Sequence, residues 1–305
     1  MRHRKPAPLP LRDGVDPTRV VLRSADRTIG EAMLAAPACE GLTLHDLLTR
    51  AERGEVLGIG GEPVDLAAPA EIGRPVYFYR DLPVETEIPF DLPIIHQDND
   101  LVVVDKPHYL ATMPRGTHVV QTALVRLRRE LDNPSISPVH RLDRLTAGVL
   151  MFTVRPQARA PYQQLFADRA VNKEYRARAP IHPGLQLPVT VRNRILKDAG
   201  DLRARVEPGE VNAVSTIDLL SASHDRGVYR LRPQTGRTHQ LRLHMAGLGV
   251  PIDGDPLYPE VRPDVAAAPD RGDFSDPLRL LAYSVEFTDP FSGELRRFVS
   301  TRELL

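Results

Sequence analysis

This sequence of 305 residues has a single cysteine, Cys39, no net formal charge, and no window that approaches 18 apolar residues. One cysteine excludes an intramolecular disulfide framework and a cysteine-rich zinc or iron–sulfur site. The short apolar runs exclude a membrane-spanning helix. The basic N-terminal residues surround no apolar core, so we expect neither a signal peptide nor a transit sequence.

What is present is the composition of a soluble globular protein, with 42% hydrophobic and 26% charged residues. The chain is long enough for one large domain with a small appendage, or for two ordinary domains. A reducing compartment also favours a low cysteine content, and we expect a cytoplasmic protein.

The zero net charge conceals an uneven distribution of charged residues. Residues 126–242 contain 21 lysines and arginines against 11 aspartates and glutamates, whereas both flanking segments are acidic. Such a basic block is typical of a surface that binds a polyanion, since phosphate contacts dominate nucleic-acid affinity. An arginine-rich solvated surface would give the same count, so charge alone leaves both interpretations open.

A proline-rich stretch, residues 81–93, predicts a linker between two parts of the chain. Residues 1–85 form a small N-terminal unit that loosely resembles a degenerate S4-type RNA-binding module; a structural cap is the alternative. Its first 15 residues are rich in proline and arginine, and we expect them to be mobile. In residues 90–305 short strands and helices interleave without a βαβ period. This predicts an α+β fold with a mixed, mostly antiparallel sheet and flanking helices.

Several elements can be located from their patterns. "IIHQDNDLVVVDKP" has the form of a β-hairpin, and "QTALVRLRREL" has that of an amphipathic helix. The apolar run "GVLMFTV", residues 148–154, predicts a buried strand. In the N-terminal unit we expect Thr43 to cap a helix. Near the other end we expect Thr238 to cap a helix that Gly247 ends.

One aspartate stands out in "SPVHRLDRLTAGVLMFTV", residues 137–154, where Asp143 lies between Arg141 and Arg144 just ahead of the predicted strand. Cationic neighbours stabilise an ionised carboxylate, which suits a nucleophile or a base rather than a general acid. The alternative is an ordinary surface Asp–Arg pair. A loop residue at the end of a rigid strand is, however, where function is often placed.

A second group of cationic side chains lies in "RPQTGRTHQLRLHM", where Arg237, His239, Arg242 and His244 surround a predicted helix start. Backbone N–H groups at a helix start favour anions, and Arg242 could reach a carboxylate on another loop. The alternative for each residue is a solvated helix face, and for His239 a hydrogen-bonded core histidine.

These segments resemble motifs of the RluA-type pseudouridine synthases. "HRLDRLTAG" is similar to that family's H/G-R-L-D-x-x-T-S-G motif, and "NKEYRA" to its K-x-Y-x-A motif. "RPQTGRTHQLRLHMAGLGVPIDGDPLY" is similar to its other long motif, and "DLVVVDKP" to its opening strand. The four segments occur in the family's order. The sequence departs from the family at Ala147, where serine is usual, and at "LLAYSVEF", where L-H-A is common.

The resemblance implies the pseudouridine synthase fold and an isomerase, an intramolecular transferase that converts uridine in structured RNA to pseudouridine. It implies that Asp143 attacks C1′ or removes a sugar proton, and that Arg242 pairs with Asp143. Tyr175 would stack on the extruded uracil and help the C5 proton to leave. Arg141 would fill the gap left by the flipped nucleotide. The other expected RNA-binding residues are Arg144, Lys173, Arg237 and His239.

This chemistry requires neither a cofactor nor a metal, and we expect neither. The expected partner is RNA, ribosomal RNA first and transfer RNA second, with no membrane association and a monomeric chain. Asp253 and Asp255 in "IDGDP" could suggest a carboxylate pair, but we interpret them as loop and turn residues.

Two other classes of function remain possible at this point. A non-catalytic RNA-binding or RNA-folding protein on the same fold fits the basic block equally well, although intact Asp143, Tyr175 and Arg242 argue against it. A hydrolytic glycosidase acting on nucleosides would need a water-activating acid that the sequence does not provide.

Overall fold

The computed structural model describes residues 7–304, and the chain divides into two units between Val84 and Glu85. This division lies inside the stretch, residues 81–93, that the sequence predicts as a linker. Residues 1–6, which belong to the N-terminal segment expected to be mobile, lie outside the described residues.

The first unit is a three-stranded antiparallel sheet with two helices. Its strands are β1 (Thr18–Val21), β2 (Val56–Gly58) and β3 (Pro75–Phe78), in the order β1-β3-β2. Its helices are α1 (Ile29–Leu34) and α2 (Leu44–Glu52). A short 3-10 turn follows α1.

Both helices of this unit begin with a capping box, in which the N-cap residue and the residue three positions later each accept a hydrogen bond, through the side chain, from the backbone N–H of the other. Thr28 pairs in this way with Glu31, and Thr43 with Asp46, so the predicted cap Thr43 is confirmed. The unit encloses a hydrophobic core of its own, which includes Val20, Leu22, Ile29, Met33, Leu47, Val76 and Phe78. Its S4-like character stays a prediction.

The second unit is built on an eleven-stranded sheet. Its strands are β4 (Ile94–Gln97), β5 (Leu101–Lys106), β6 (Ser137–Pro138), β7 (Ala147–Thr153), β8 (Asn172–Pro180), β9 (Val189–Leu196), β10 (Arg205–Glu207), β11 (Ala213–Ser223), β12 (Arg226–Pro233), β13 (Leu280–Thr288) and β14 (Leu295–Val299). They run in the order β10-β9-β11-β12-β8-β13-β7-β5-β4, with β14 beside β13 and β6 beside β7. β13 and β7 pair in parallel and the other neighbours pair antiparallel. The predicted fold class is confirmed.

The helices of this unit are α3 (Ala123–Glu130), α4 (Pro156–Ala167), α5 (Gln240–Gly247) and α6 (Pro263–Ala267). The predicted β4–β5 hairpin and the predicted amphipathic helix α3 are both confirmed. Within the described part of the chain, no helix is both long enough and apolar enough to cross a membrane.

Strand β7 is apolar throughout because both of its faces are covered. Leu150 and Phe152 belong to a core cluster that includes the buried side of α3. Val149 and Met151 point to the opposite face, into a cluster that includes the buried side of α4. A strand covered on both faces shows a continuous apolar run rather than an alternating one. The predicted buried strand is therefore confirmed.

The start of α5 differs from the prediction. Thr238 is not the cap: His239 occupies the N-cap position in a left-handed backbone conformation, with φ 57°, and no side chain caps the helix. The Gln240 side chain holds the turn that precedes the helix, because its Oε1 accepts hydrogen bonds from the Arg237 N–H at 3.0 Å and the Thr235 hydroxyl at 2.8 Å. The helix ends at Gly247, as predicted.

Candidate active site

Asp143 lies in the loop between β6 and β7, and the backbone on both sides of it is held in place. Just before it, the Leu142 carbonyl accepts a hydrogen bond from the Thr112 hydroxyl at 2.9 Å, and the Leu142 N–H donates back to that hydroxyl at 3.1 Å. Just after it, the Arg144 carbonyl accepts a hydrogen bond from Lys106 Nζ at 3.2 Å. The aspartate is thus presented on a loop of defined shape.

Lys106 is a residue that the sequence interpretation did not single out. It is the last residue of β5, it is fully buried, and its ammonium group also donates to the carbonyls of Pro107 and Leu110 at 2.9 and 2.8 Å. Burial lowers the pKa of Lys106 to about 7, while the nearby Asp143 carboxylate acts in the opposite direction. A lysine that ends an apolar strand was the signal that could have revealed it.

Gly148, near the start of β7, allows the strand that follows this loop to lie very close to β13. Its φ is +111°, and an added Cβ would overlap the backbone of Ala282, its parallel partner on β13. Only glycine allows the two strands to approach at this point. The close approach also brings the Asp143 loop near Tyr175, since Tyr175 pairs with Ala282 from the other side of β13.

The Asp143 side chain is 33% exposed, and two basic groups face it. Its Oδ2 lies 3.9 Å from Arg242 Nη1 and 4.0 Å from His239 Nε2. The neighbouring arginines of the motif have other surroundings: Arg141 is exposed, and Arg144 Nη1 donates to Asp270 Oδ1 at 2.8 Å. The predicted proximity of Arg242 to Asp143 is therefore present in the structure.

Arg242 also has a partner that the sequence interpretation missed. Its Nε and Nη2 donate to the two carboxylate oxygens of Asp255 at 2.7 and 2.6 Å, and both side chains are buried, with 2% and 1% exposed. The interpretation of Asp255 as a loop or turn residue agrees with its Oδ1 accepting the N–H groups of Leu257 and Tyr258, but its contact with Arg242 was not anticipated. A buried guanidinium needs such a bidentate partner.

Asp253 has a different role from Asp255. Its Oδ2 lies 3.0 Å from Arg178 Nε and 3.2 Å from Arg226 Nε. It holds the loop to β8 and β12, so it does not form a carboxylate pair with Asp143. Its interpretation as a loop residue agrees with these contacts.

Tyr175 lies on β8 between Leu231 of β12 and Ala282 of β13. The partly buried ring packs against the hydrophobic clusters on its side of the sheet and lines the same cavity as Asp143. Burial raises the pKa of the Tyr175 phenol well above its usual range, and the Asp143 carboxylate raises it further. The hydroxyl therefore keeps its proton at neutral pH.

A cavity of about 660 Å³ opens above Asp143 and Tyr175. Among the described residues that line it, Asp143 is the one carboxylate, whereas six are lysines or arginines: Arg115, Arg141, Arg144, Arg169, Lys173 and Arg237. Arg115 and Arg169 were not anticipated from the sequence. A concave site of this volume accommodates a nucleotide-sized ligand, and its cationic walls suit a phosphate backbone.

The other predicted RNA-binding residues lie around this cavity. Arg237 is exposed, and its Nε donates to the Asn212 carbonyl at 3.2 Å. Lys173 is partly buried and donates to the Thr235 carbonyl at 3.4 Å, and burial lowers its pKa. His244, in contrast, is buried away from the cavity, with Nε2 3.1 Å from Asn193 Oδ1.

No group of three or more histidine, cysteine, aspartate or glutamate side chains placed to hold a metal ion occurs among residues 7–304. Residues 100–247 match the family model of RNA pseudouridylate synthase. An RNA pseudouridine synthase of Synechocystis sp. is 30% identical over 212 residues, which are 68% of this chain and 72% of that protein. The dual-specificity RNA pseudouridine synthase RluA of Salmonella typhi is 31% identical over 218 residues, 68% of this chain and 91% of that protein.

The chain belongs to the RNA pseudouridylate synthase family. Human RNA pseudouridylate synthase domain containing 1 has the same fold, with a TM-score of 0.56 and 24% identity over 73% of this chain and 88% of that one. For human RNA pseudouridylate synthase domain containing 4 the TM-score is 0.52 and the identity 26%, over 70% of this chain and 88% of that one. The resemblance to RluA-type enzymes is confirmed, and with it the expectation of an RNA-modifying isomerase. The non-catalytic alternative gains no support.

Proposed function

We propose that Asp143 is the group that reacts with the target nucleotide, with Tyr175 and Arg242 acting beside it, and that ribosomal RNA is the substrate. The observation that carries this proposal is that, in the part of the chain that the structure describes, the cavity is lined by one carboxylate and by six lysine and arginine side chains. Such a cavity attracts phosphates, while the reactive anion is held next to Arg242 Nη1. Transfer RNA is the second candidate, and the expected place of action is the cytoplasm.

Two routes are open to Asp143, and both conserve atoms and charge. In one, its carboxylate bonds to C1′ while the N1–C1′ bond breaks; C5 of the turned uracil then bonds to C1′ and releases the carboxylate. In the other, Asp143 takes a proton from C2′ as the same bond breaks and returns it once C5 has bonded to C1′. Either route ends with loss of the C5 proton and protonation of N1.

Arg242 serves both routes by stabilising the Asp143 carboxylate. Because Asp255 fixes the guanidinium, Nη1 is held near Asp143 before any substrate binds. Positive charge that is already oriented needs no reorganisation during the reaction. Arg242 is thus proposed to act through Asp143, and Asp255 to act through Arg242.

Tyr175 offers an aromatic face for the extruded uracil and a protonated hydroxyl. Its raised pKa argues against the phenolate as the base that removes the C5 proton at neutral pH. The protonated hydroxyl can instead act as a relay, in which its oxygen takes up the C5 proton as its own proton leaves to water or to another acceptor, so that the phenol ends neutral. Arg141, exposed at the edge of the cavity, remains the proposed filler of the gap in the RNA.

The domain organisation is also proposed: residues 1–85 as a separate RNA-docking unit, possessing a core of its own, and residues 90–305 as the catalytic domain. A variant lacking residues 1–84 should remain folded and convert its target RNA with lower selectivity. Failure of that variant to fold would show that the first unit is structural.

The substrate is tested by mapping pseudouridines in total RNA from cells with and without this protein. One or more positions in ribosomal RNA should lose pseudouridine, and the wild-type chain, but not Asp143→Asn, should restore them. Loss confined to transfer RNA would move the proposal to its second candidate, and no loss in any RNA would contradict it.

A further inference from the structure

His239 is the second basic group that faces Asp143, and its two ring nitrogens have different surroundings. Nδ1 lies 2.9 Å from the Tyr258 hydroxyl, and Nε2 lies 4.0 Å from Asp143 Oδ2. The left-handed backbone at this residue, the first before α5, is part of the geometry that presents the ring in this way. The side chain is 11% exposed, so its remaining open edge faces the active site.

The hydrogen bonds of Tyr258 determine which nitrogen of His239 carries the proton. The Tyr258 hydroxyl is 2.9 Å from the Ala204 carbonyl, to which it donates its single proton, and it accepts the Ala204 N–H at 2.8 Å. A hydroxyl has one proton and two lone pairs. The third contact, with His239 Nδ1, is therefore satisfied only when Nδ1–H is the donor. The neutral ring then has an unprotonated Nε2.

The ring is neutral under physiological conditions, because burial lowers the pKa of His239 to about 4, and the nearby Arg242 guanidinium adds to this effect against the opposing influence of Asp143. Nε2 is consequently a hydrogen-bond acceptor, whereas the other basic group that faces Asp143, Arg242 Nη1, is a donor. Nε2 cannot form a hydrogen bond with the Asp143 carboxylate, because both are acceptors. It is suited to a hydroxyl group of the substrate.

The ribose supplies one group of this kind. If Asp143 reacts at C1′ or at the proton of C2′, the reacting atom approaches its carboxylate to about 3–3.5 Å, which places the same edge of the ribose beside Nε2. The polar atoms next to C1′ are O4′, which has no proton, and the 2′-hydroxyl, which does. Within an RNA chain the 3′ and 5′ oxygens are esterified, so the 2′-hydroxyl is the remaining donor.

We propose that His239 Nε2 accepts a hydrogen bond from the 2′-hydroxyl of the target nucleotide, so that it positions the ribose against Asp143 and favours ribose over deoxyribose. The 2′-hydroxyl is the group that distinguishes RNA from DNA at a given position. This inference rests on the proposed function, since it requires the target ribose to lie at Asp143.

Product RNA provides the test, because it binds without being consumed. Two versions of the mapped target RNA would carry pseudouridine or 2′-deoxypseudouridine at the modified position, and their dissociation constants would be measured. Wild type should bind the ribose form roughly 3- to 10-fold more tightly, the effect of one net hydrogen bond. His239→Leu, which has no acceptor, should bind both forms equally. His239→Gln, whose amide oxygen can accept, should keep part of the preference.

His244→Leu is the matched control, since His244 lies on α5, the helix that directly follows His239, is buried, and does not line the active-site cavities. It should retain the full preference for ribose. The inference is overturned if wild type shows no preference, if His239→Leu keeps it, or if His244→Leu loses it as well. These outcomes are separate from failure of the proposed function, which would appear as no conversion of uridine in any RNA by wild type.

Discussion

Arg242 contacts two aspartates through different edges of its guanidinium: Nε and Nη2 donate to Asp255 at 2.7 and 2.6 Å, and Nη1 lies 3.9 Å from Asp143 Oδ2. The first contact is buried and the second opens to the cavity. One arginine thus links a structural ion pair to the proposed reactive carboxylate.

Asp255→Asn should be strongly destabilising, because it leaves the buried Arg242 guanidinium without its counter-charge. Breaking a buried pair in this way costs about 3–5 kcal/mol. Asp253→Asn is the control, since its arginine partners are about one-third or more exposed and it should cost far less. The free energy of unfolding would be measured with urea and circular dichroism. Equal effects of the two changes would show that the Asp255–Arg242 pair contributes little.

Asp143→Asn should abolish pseudouridine formation while RNA binding and stability persist. The change removes the charge and nearly all nucleophilicity, no other carboxylate of residues 7–304 lines the cavity, and a side chain that is 33% exposed leaves no core void. The assay is single-turnover release of tritium from C5 of labelled uridine, beside a dissociation constant for the same RNA. Residual turnover within about tenfold of wild type would assign the chemistry elsewhere. Joint loss of binding and activity would indicate a structural role.

Tyr175→Phe and Tyr175→Ala separate the ring from the hydroxyl. Phe retains the stacking face, so it should bind RNA as wild type does but turn over far more slowly if the hydroxyl conducts the C5 proton. Ala should in addition weaken binding, since stacking on a base contributes roughly 1–3 kcal/mol. Single-turnover rates and dissociation constants are compared on one RNA. Full activity of the Phe variant would reduce Tyr175 to a stacking platform.

RNA affinity should fall steeply with salt, by one to several powers of ten between low and physiological ionic strength, because released counterions accompany each phosphate contact. Arg141→Gln should reduce the slope of log affinity against log salt by about one, since Arg141 is exposed on the cavity wall. Arg297→Gln, exposed on β14 and absent from the cavity lining, is the control and should leave the slope unchanged. A slope near zero for wild type would contradict a phosphate-binding cavity.

Stability should fall as the pH drops below about 6.5, because several partly buried histidines lie where the charged ring is disfavoured. Burial lowers the pKa of His140 to about 3 and that of His108 to about 4. Between those values and 6.5 the unfolded chain binds protons that the folded chain does not, so the free energy of unfolding decreases with falling pH. Each pKa unit corresponds to about 1.4 kcal/mol per group.

Urea unfolding at pH 7.5 and pH 5 would measure this loss. His140→Asn should lose less stability between the two pH values than wild type does, whereas His224→Asn, at an exposed position, should behave as wild type. A wild-type protein equally stable at both pH values would show that these histidines do not couple protonation to folding.

Local sequence patterns were sufficient to predict the features that depend on residues close together in the chain. The capping box at Thr43 involves residues three apart, and the strand β7 is recognisable because both of its faces are apolar. Asp143, Tyr175 and Arg242 could be named because the motifs that contain them are contiguous. Their roles stay proposals, although all three line a smaller cavity of about 110 Å³, which shares Asp143 and Tyr175 with the larger one.

The sequence by itself determined the α+β class, several of the strands and helices, and the segments that contribute to the site, since these depend on short-range periodicity and on contiguous motifs. Tertiary structure decided which charges meet. Whether Asp255 is a solvated turn residue or the buried partner of Arg242, and whether Lys106 ends in water or under the Asp143 loop, depends on burial by segments distant in the chain. It also decided that His239, rather than Thr238, is the N-cap residue of α5, with a left-handed backbone. Which charged groups become partners depends on the folded geometry, because the residues that bury them come from several separate segments of the chain.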